Sequence, residues 1–169
     1  MSLLDVEKLM AEARRLAAEY RRTTGQSLGI SGQIAKHDAC RLLDLEAPEN
    51  PPGGYDAVGR HGHREGQRFQ IKGRVIFDDS KGGQRLGQLK TNQDWDMLVL
   101  VLMDENFEPF EIYEASREEV EDELDAGASV ARKKRGAMSV ARFRKFARRV
   151  WDREAGLLDS DQWENRAGG

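Results

Sequence analysis

The sequence predicts one mixed α/β domain, with a β-sheet of about four to five strands flanked by helices. Three observations carry that expectation. Two early segments place apolar residues at helical spacing, strand-like segments occupy the middle of the chain, and charged helical segments come last. The near-continuous apolar run Met97–Met103 has the length of a strand covered on both faces. Breaker-rich joints separate the segments, and none is long enough to divide the chain into domains.

Each element has its own signal. Over residues 3–22, Leu3, Val6, Leu9, Met10, Ala13, Leu16, Ala17 and Tyr20 keep helical spacing, with Ser2 as cap, Asp5 in the first turn and Gly25 as terminator. A second helix is expected over Ser31–Leu43, with Ile34, Ala35, Ala39, Leu42 and Leu43 inward. The cluster Ala47-Pro48-Glu49-Asn50-Pro51-Pro52-Gly53-Gly54 suits neither helix nor strand. A hairpin follows, residues 55–60 and 67–77, turning through His61-Gly62-His63-Arg64-Glu65-Gly66.

Residues 78–94 are polar and read as a loop, with a short extended piece at 86–89. Met97–Met103 is the expected central strand. Residues 107–113 are its partner, where Pro109 favours an edge. Ser116-Arg117-Glu118-Glu119 is a capping box opening an acidic helix to about Leu124. Residues 127–136 form a basic linker. Ser139 caps a last helix with Val140, Phe143, Ala147, Val150 and Trp151 along one stripe, and Arg142, Arg144, Lys145, Arg148 and Arg149 on much of the rest. The domain is expected over residues 1–151, with 152–169 a loosely held tail.

The 169 residues suffice for a real core, and 38% hydrophobic with 34% charged content describes a water-soluble chain. No apolar run approaches the roughly 20 residues of a membrane span, so no membrane partner is expected. No basic stretch followed by an apolar one marks a secretion signal at the N-terminus. With one cysteine, Cys40, no internal disulfide forms, and a cytoplasmic setting is the expectation. All three histidines and Cys40 fall between residues 37 and 63, in a spacing that matches no common zinc pattern. The net charge of -3 hides an asymmetry. Residues 104–125 hold one basic residue, Arg117, whereas residues 132–149 hold nine Lys or Arg and no acid. Either the two blocks neutralise each other, or the second forms a local positive surface.

The chemistry-bearing residues lie in the hairpin. Asp56 stands in Gly53-Gly54-Tyr55-Asp56-Ala57-Val58. Gln70 and Lys72 stand in Arg68-Phe69-Gln70-Ile71-Lys72-Gly73-Arg74, which alternates with period two. Side chains two apart on a strand share a face, so Gln70 and Lys72 point one way and Phe69 and Ile71 the other. The hairpin carries Asp56 close to that polar face. A carboxylate, an amide oxygen and an ammonium together suit a magnesium ion and a phosphodiester.

Asp56 followed by Gln70-Ile71-Lys72 resembles the active-site signature of the PD-(D/E)XK nuclease superfamily, in its Asp…Gln-x-Lys form. The resemblance covers roughly residues 31–113. It implies a restriction-endonuclease-like fold and a Mg²⁺- or Mn²⁺-dependent DNA endonuclease with Asp56, Gln70 and Lys72 as catalytic residues. Asp56, the Gln70 side-chain carbonyl and the Ile71 backbone carbonyl would hold the metal. Lys72 would orient the attacking water and offset charge on the phosphate. Oxygen ligands and retained waters are what Mg²⁺ prefers.

Arg74, Arg85, Lys90, Arg132, Lys133, Lys134 and Arg135 are the expected contacts to DNA phosphates. One such site cuts one strand, so cutting a duplex implies a homodimer or two binding events. The lack of a recognition segment implies a targeting partner. The chain departs from the family in one place. The helix ahead of the Asp56 strand often carries a glutamate, and here the corresponding stretch holds Gln33 and Lys36, with Asp38 and Glu19 as acids that would substitute. That departure supports the alternative, a weakly active or inactive nuclease-fold protein that binds DNA or a protein partner. A small interaction module docking through its charged C-terminal half is the third reading.

Overall fold

Helix α1, Leu3–Thr24, opens the computed structural model of the chain, which describes residues 2–50, 53–77, 84–89, 93–126 and 137–158. Its start is a capping box: the Ser2 hydroxyl accepts the Asp5 N–H, and the Asp5 carboxylate accepts the Ser2 N–H at 3.2 Å. Gly25 ends it in the left-handed region, φ 73°, which glycine adopts without strain. Helix α2, Ser31–Leu43, buries Ile34, Ala35, Ala39 and Leu43 of the inward stripe read from spacing, with Leu42 half-buried against the same core.

The described residues then form the strands β1 Leu45–Glu46, β2 Ala57–Gly59, β3 Arg68–Val75, β4 Arg85–Gln88, β5 Met97–Met103, β6 Pro109–Ser116, β7 Ala137–Ser139, β8 Arg148–Asp152 and β9 Gly156–Leu157. Helix α3, Arg117–Asp125, follows β6, and helix α4, Val140–Phe146, follows β7. Seven strands form one mixed sheet in the order β1-β2-β3-β5-β6-β8-β9, and β4 with β7 forms a separate two-stranded ribbon. Among the described strands of this sheet, β3 and β5 run parallel and the other pairs are antiparallel. The sheet therefore exceeds the four to five strands expected. Two of the additions, β1 and β9, are two residues long, too short to show any alternation.

β5 is the buried centre. Val99, Val101 and Met103 face α1 and α2 with Phe69, Ile71 and Val75 of β3. Leu98, Leu100 and Leu102 face the other way, against Leu86 and Met138 of the ribbon, Val120 of α3 and Phe143 of α4. Trp95 belongs to this second layer, as a core residue.

Two expectations are corrected. Pro109 does not mark an edge, because β6 lies between β5 and β8. Its missing N–H is tolerated because it is the first residue of β6, where the register with β5 shifts. The last helix stops at Phe146, and Val150 and Trp151 lie on β8 rather than on a helical stripe. β8 pairs with β6 and satisfies a row of backbone groups that a continued helix would leave unpaired.

Gly73 sets the distance between α2 and β3. A Cβ there would stand 2.4 Å from the Ala35 Cβ and 3.0 Å from the Ser31 carbonyl oxygen. α1 is tied down by ions: Arg14 and Asp38 form a buried pair, and Arg14 Nη1 also donates to the Phe107 carbonyl at 2.6 Å. Among the described residues, no helix is long and apolar enough to cross a membrane.

Candidate functional site

The site begins where the chain joins the sheet. In an antiparallel ladder, alternate residues turn both N–H and C=O toward one neighbour. Odd-numbered residues at the start of β3 turn their backbone groups toward β2: just before β2 the Asp56 N–H donates to the Phe69 carbonyl at 2.7 Å, and just before β3 the Gln67 carbonyl accepts the Gly59 N–H at 2.9 Å. Ile71 is next in that series, but no β2 residue lies opposite it, because β2 starts at Ala57. The Asp56 side chain fills the gap, its Oδ2 accepting the Ile71 N–H at 2.8 Å. By the same alternation, the Ile71 carbonyl turns toward this gap. Just upstream, the Gly54 carbonyl accepts from Gln70 Nε2 at 3.3 Å.

Two hydrogen bonds thus join residues 54–56 to residues 70–71. They bring Asp56 against the Gln70–Ile71 segment, where a carboxylate, an amide oxygen and the Lys72 ammonium were expected to converge. Lys72 lies two residues further along β3, on the face shared with Gln70, and is half-buried. Phe69 and Ile71 occupy the opposite face, in the core against α1 and α2.

Gln70 is more enclosed than an exposed strand residue, at 4% exposure. Its Nε2 is bonded to Gly54, whereas its Oε1 is buried with no hydrogen-bond partner among the described residues. A buried acceptor left unbonded is costly, so it marks a place where a donor or a cation would be stabilised. Asp56, Gln70 and Ile71 offer only hard oxygen donors, the set that fits Mg²⁺ or Mn²⁺ with the remaining positions taken by water. Asp56 supplies the one carboxylate of this set, and among the described residues no three His, Cys, Asp or Glu side chains cluster as metal ligands.

The helix acids expected to substitute do not reach the site. Asp38 is fully buried and committed to Arg14, and Glu19 is exposed and paired with Arg15 at 3.0 Å. Lys36 reaches it instead: its Nζ lies 3.2 Å from Asp56 Oδ1. Cys40, one helical turn further on α2, feels the same charges. Burial and then the Asp56 carboxylate push its thiol up to about 11, with Lys36 pulling the other way, so it remains a thiol at neutral pH. The sequence offered one signal for Lys36, its place beside the inward stripe of α2, and no signal for the Gly54 carbonyl.

The expected phosphate contacts divide. Arg74 follows Lys72 on β3, donating from Nε to the Arg85 carbonyl at 2.7 Å and from Nη1 to the Gly73 carbonyl at 2.6 Å. No carboxylate pairs with it among the described residues, and burial lowers its pKa. Arg85 is exposed on β4. Lys90, Arg132, Lys133, Lys134 and Arg135 lie outside the described residues.

Four arginines of the described part of the basic block pair with acids of the acidic block. Arg142 pairs with Glu123, Arg144 and Arg149 with Glu111, and Arg148 with Glu114 and Glu119. No protein-family model matches the chain, and no curated protein matches it.

Proposed function

We propose that the chain is a divalent-metal-dependent DNA endonuclease of the PD-(D/E)XK type, restriction-endonuclease-like in its core, with its site at Asp56, Gln70 and Lys72. The observation that carries this reading is the buried Gln70 Oε1, unbonded among the described residues, one residue from the Ile71 N–H that the Asp56 carboxylate accepts just before β2. Asp56, Gln70 and the Ile71 carbonyl would hold the metal, which acts when bound as a Lewis acid and lowers the pKa of a coordinated water. Asp56 and the Ile71 backbone keep the oxygen donors at fixed spacing. Lys72 would position the attacking water and offset negative charge as the water oxygen bonds to phosphorus and the bond to the 3′ oxygen breaks, the proton released by the water ending on that oxygen to give a 3′ hydroxyl and a 5′ phosphate. Arg74, whose described bonds go to backbone carbonyls, keeps its positive charge for a neighbouring phosphate. A duplex cut requires a second copy or a second binding event, and a partner protein would supply targeting.

A second reading has its own support. One carboxylate and a nearby lysine make a weaker cation site than two carboxylates do, which favours a nuclease-fold protein that binds DNA, or a protein partner, without cutting it.

A plasmid-nicking assay with Mg²⁺ or Mn²⁺ separates the two readings. Cutting by the wild type and its loss in both Asp56→Ala and Lys72→Ala are expected under the first. Salt-sensitive duplex binding with no cutting would replace it with the second. Cutting that survives both substitutions would place the chemistry elsewhere.

A further inference from the structure

We propose that Lys36 is a displaceable counter-ion of Asp56, released by a nucleic-acid phosphate, so that DNA and a divalent cation bind this site cooperatively. The inference rests on the metal-site reading above and adds its regulation.

The two Asp56 oxygens have separate tasks. Oδ2 completes the sheet by accepting the Ile71 N–H at 2.8 Å, whereas Oδ1 faces the Lys36 ammonium at 3.2 Å. Oδ1 is thus the oxygen open to a cation, and Lys36 already engages it. A divalent ion on the same oxygen would stand within a few ångströms of the ammonium, and two cations at that range repel strongly. They compete for one ligand atom.

Lys36 can yield without a change of fold. Its side chain is 40% exposed and has a flexible four-carbon stem. The helix beneath it is fixed by the close Ala35–Gly73 approach, so the ammonium can swing while α2 stays in place. Once released it needs an anion, and a phosphate drawn toward Lys72 and Arg74 is the anion this site would bring. Phosphate binding frees Oδ1, and metal binding frees the ammonium. Such coupling is reciprocal by thermodynamic necessity.

The test measures Mn²⁺ binding by calorimetry for wild type, Lys36→Met, Lys36→Arg and Asp56→Asn, with folding checked by circular dichroism. It also measures affinity for a fluorescent DNA duplex with and without Ca²⁺. Lys36→Met is expected to bind Mn²⁺ about tenfold tighter than wild type, within the usual range of coupling. Lys36→Arg is expected to match wild type, and Ca²⁺ is expected to strengthen duplex binding by wild type but not by Lys36→Met. If Lys36→Met binds Mn²⁺ no tighter than wild type while Asp56→Asn abolishes binding, the counter-ion role is overturned and the metal site stands. If neither wild type nor Lys36→Met takes up Mn²⁺, the metal site and the counter-ion role are overturned together.

Discussion

At the scale of the residue, Gln70 departs furthest from its appearance in the sequence. Period-two spacing was enough to put it on the face of Lys72, away from Phe69 and Ile71, and the burial pattern agrees. Its enclosure was not legible, because flanking Arg68 and Lys72 give the strand a polar face. On that side of the sheet the packing joins segments far apart in sequence, such as Leu86 and Met138 of the ribbon with Leu98, Leu100 and Leu102 of β5. The Lys36–Asp56 contact was hidden for the same reason, since it joins a helix to a loop across the breaker cluster.

The enclosure yields a prediction. Gln70→Glu removes the donor to the Gly54 carbonyl and buries a carboxylate beside it, at a cost of about 1–3 kcal/mol. The thermal midpoint measured in chelator is expected to fall by several degrees, then recover with Mn²⁺. A midpoint that stays low in Mn²⁺ would count against the metal site.

At the scale of the element, most of the framework was readable and its margins were not. Helices α1 and α2 and strand β5 announced themselves through long stretches of one period, and the start of α3 through its capping box. The segment after Ser139 misled because Val140, Phe143, Ala147, Val150 and Trp151 fit a helical stripe to the end. The unpaired flank of β6 outweighed that local preference and drew residues 148–152 into the sheet. Gly73 shows how closely two elements were fitted. Gly73→Ala drives a methyl group into Ala35 and the Ser31 carbonyl, so overpacking of about 1–3 kcal/mol is expected. Denaturant titration checks it. A midpoint equal to wild type would mean that α2 moves off β3 freely.

At the scale of the whole molecule, charge is distributed to close the fold before it serves any partner. Among the described residues, the pairs between residues 111–123 and 142–149 engage four arginines of the basic block, whereas Arg74 is bonded to carbonyls. If DNA binds along β3, Arg74→Gln is expected to weaken it for every sequence and to reduce the salt slope by about one. Anisotropy titrations at several salt concentrations measure this, and an unchanged slope would exclude a phosphate contact.

The ionic closure also sets the response to acid. The Arg68 guanidinium, bonded to Asp96, holds that carboxyl below the ordinary aspartate value. For Asp104, desolvation pushes up, but hydrogen bonds from Arg153 and from the Glu108 and Asn106 backbone prevail and leave it lowered. A carboxyl depressed in the folded state stabilises the fold above its ordinary value, and that stabilisation disappears as pH falls through the folded value. The melting temperature is therefore expected to drop below roughly pH 4, less steeply in Asp96→Asn. Equal slopes would show that this carboxyl is not responsible.

The Ile71 amide, finally, is protected by a side chain where a backbone carbonyl would ordinarily serve. Its proton should therefore trade with deuterated solvent at a rate governed by what Asp56 is doing, faster when that carboxylate is pulled aside and slower when it is pinned. One backbone signal in a magnetic-resonance spectrum would then report occupancy from inside the protein, without a label.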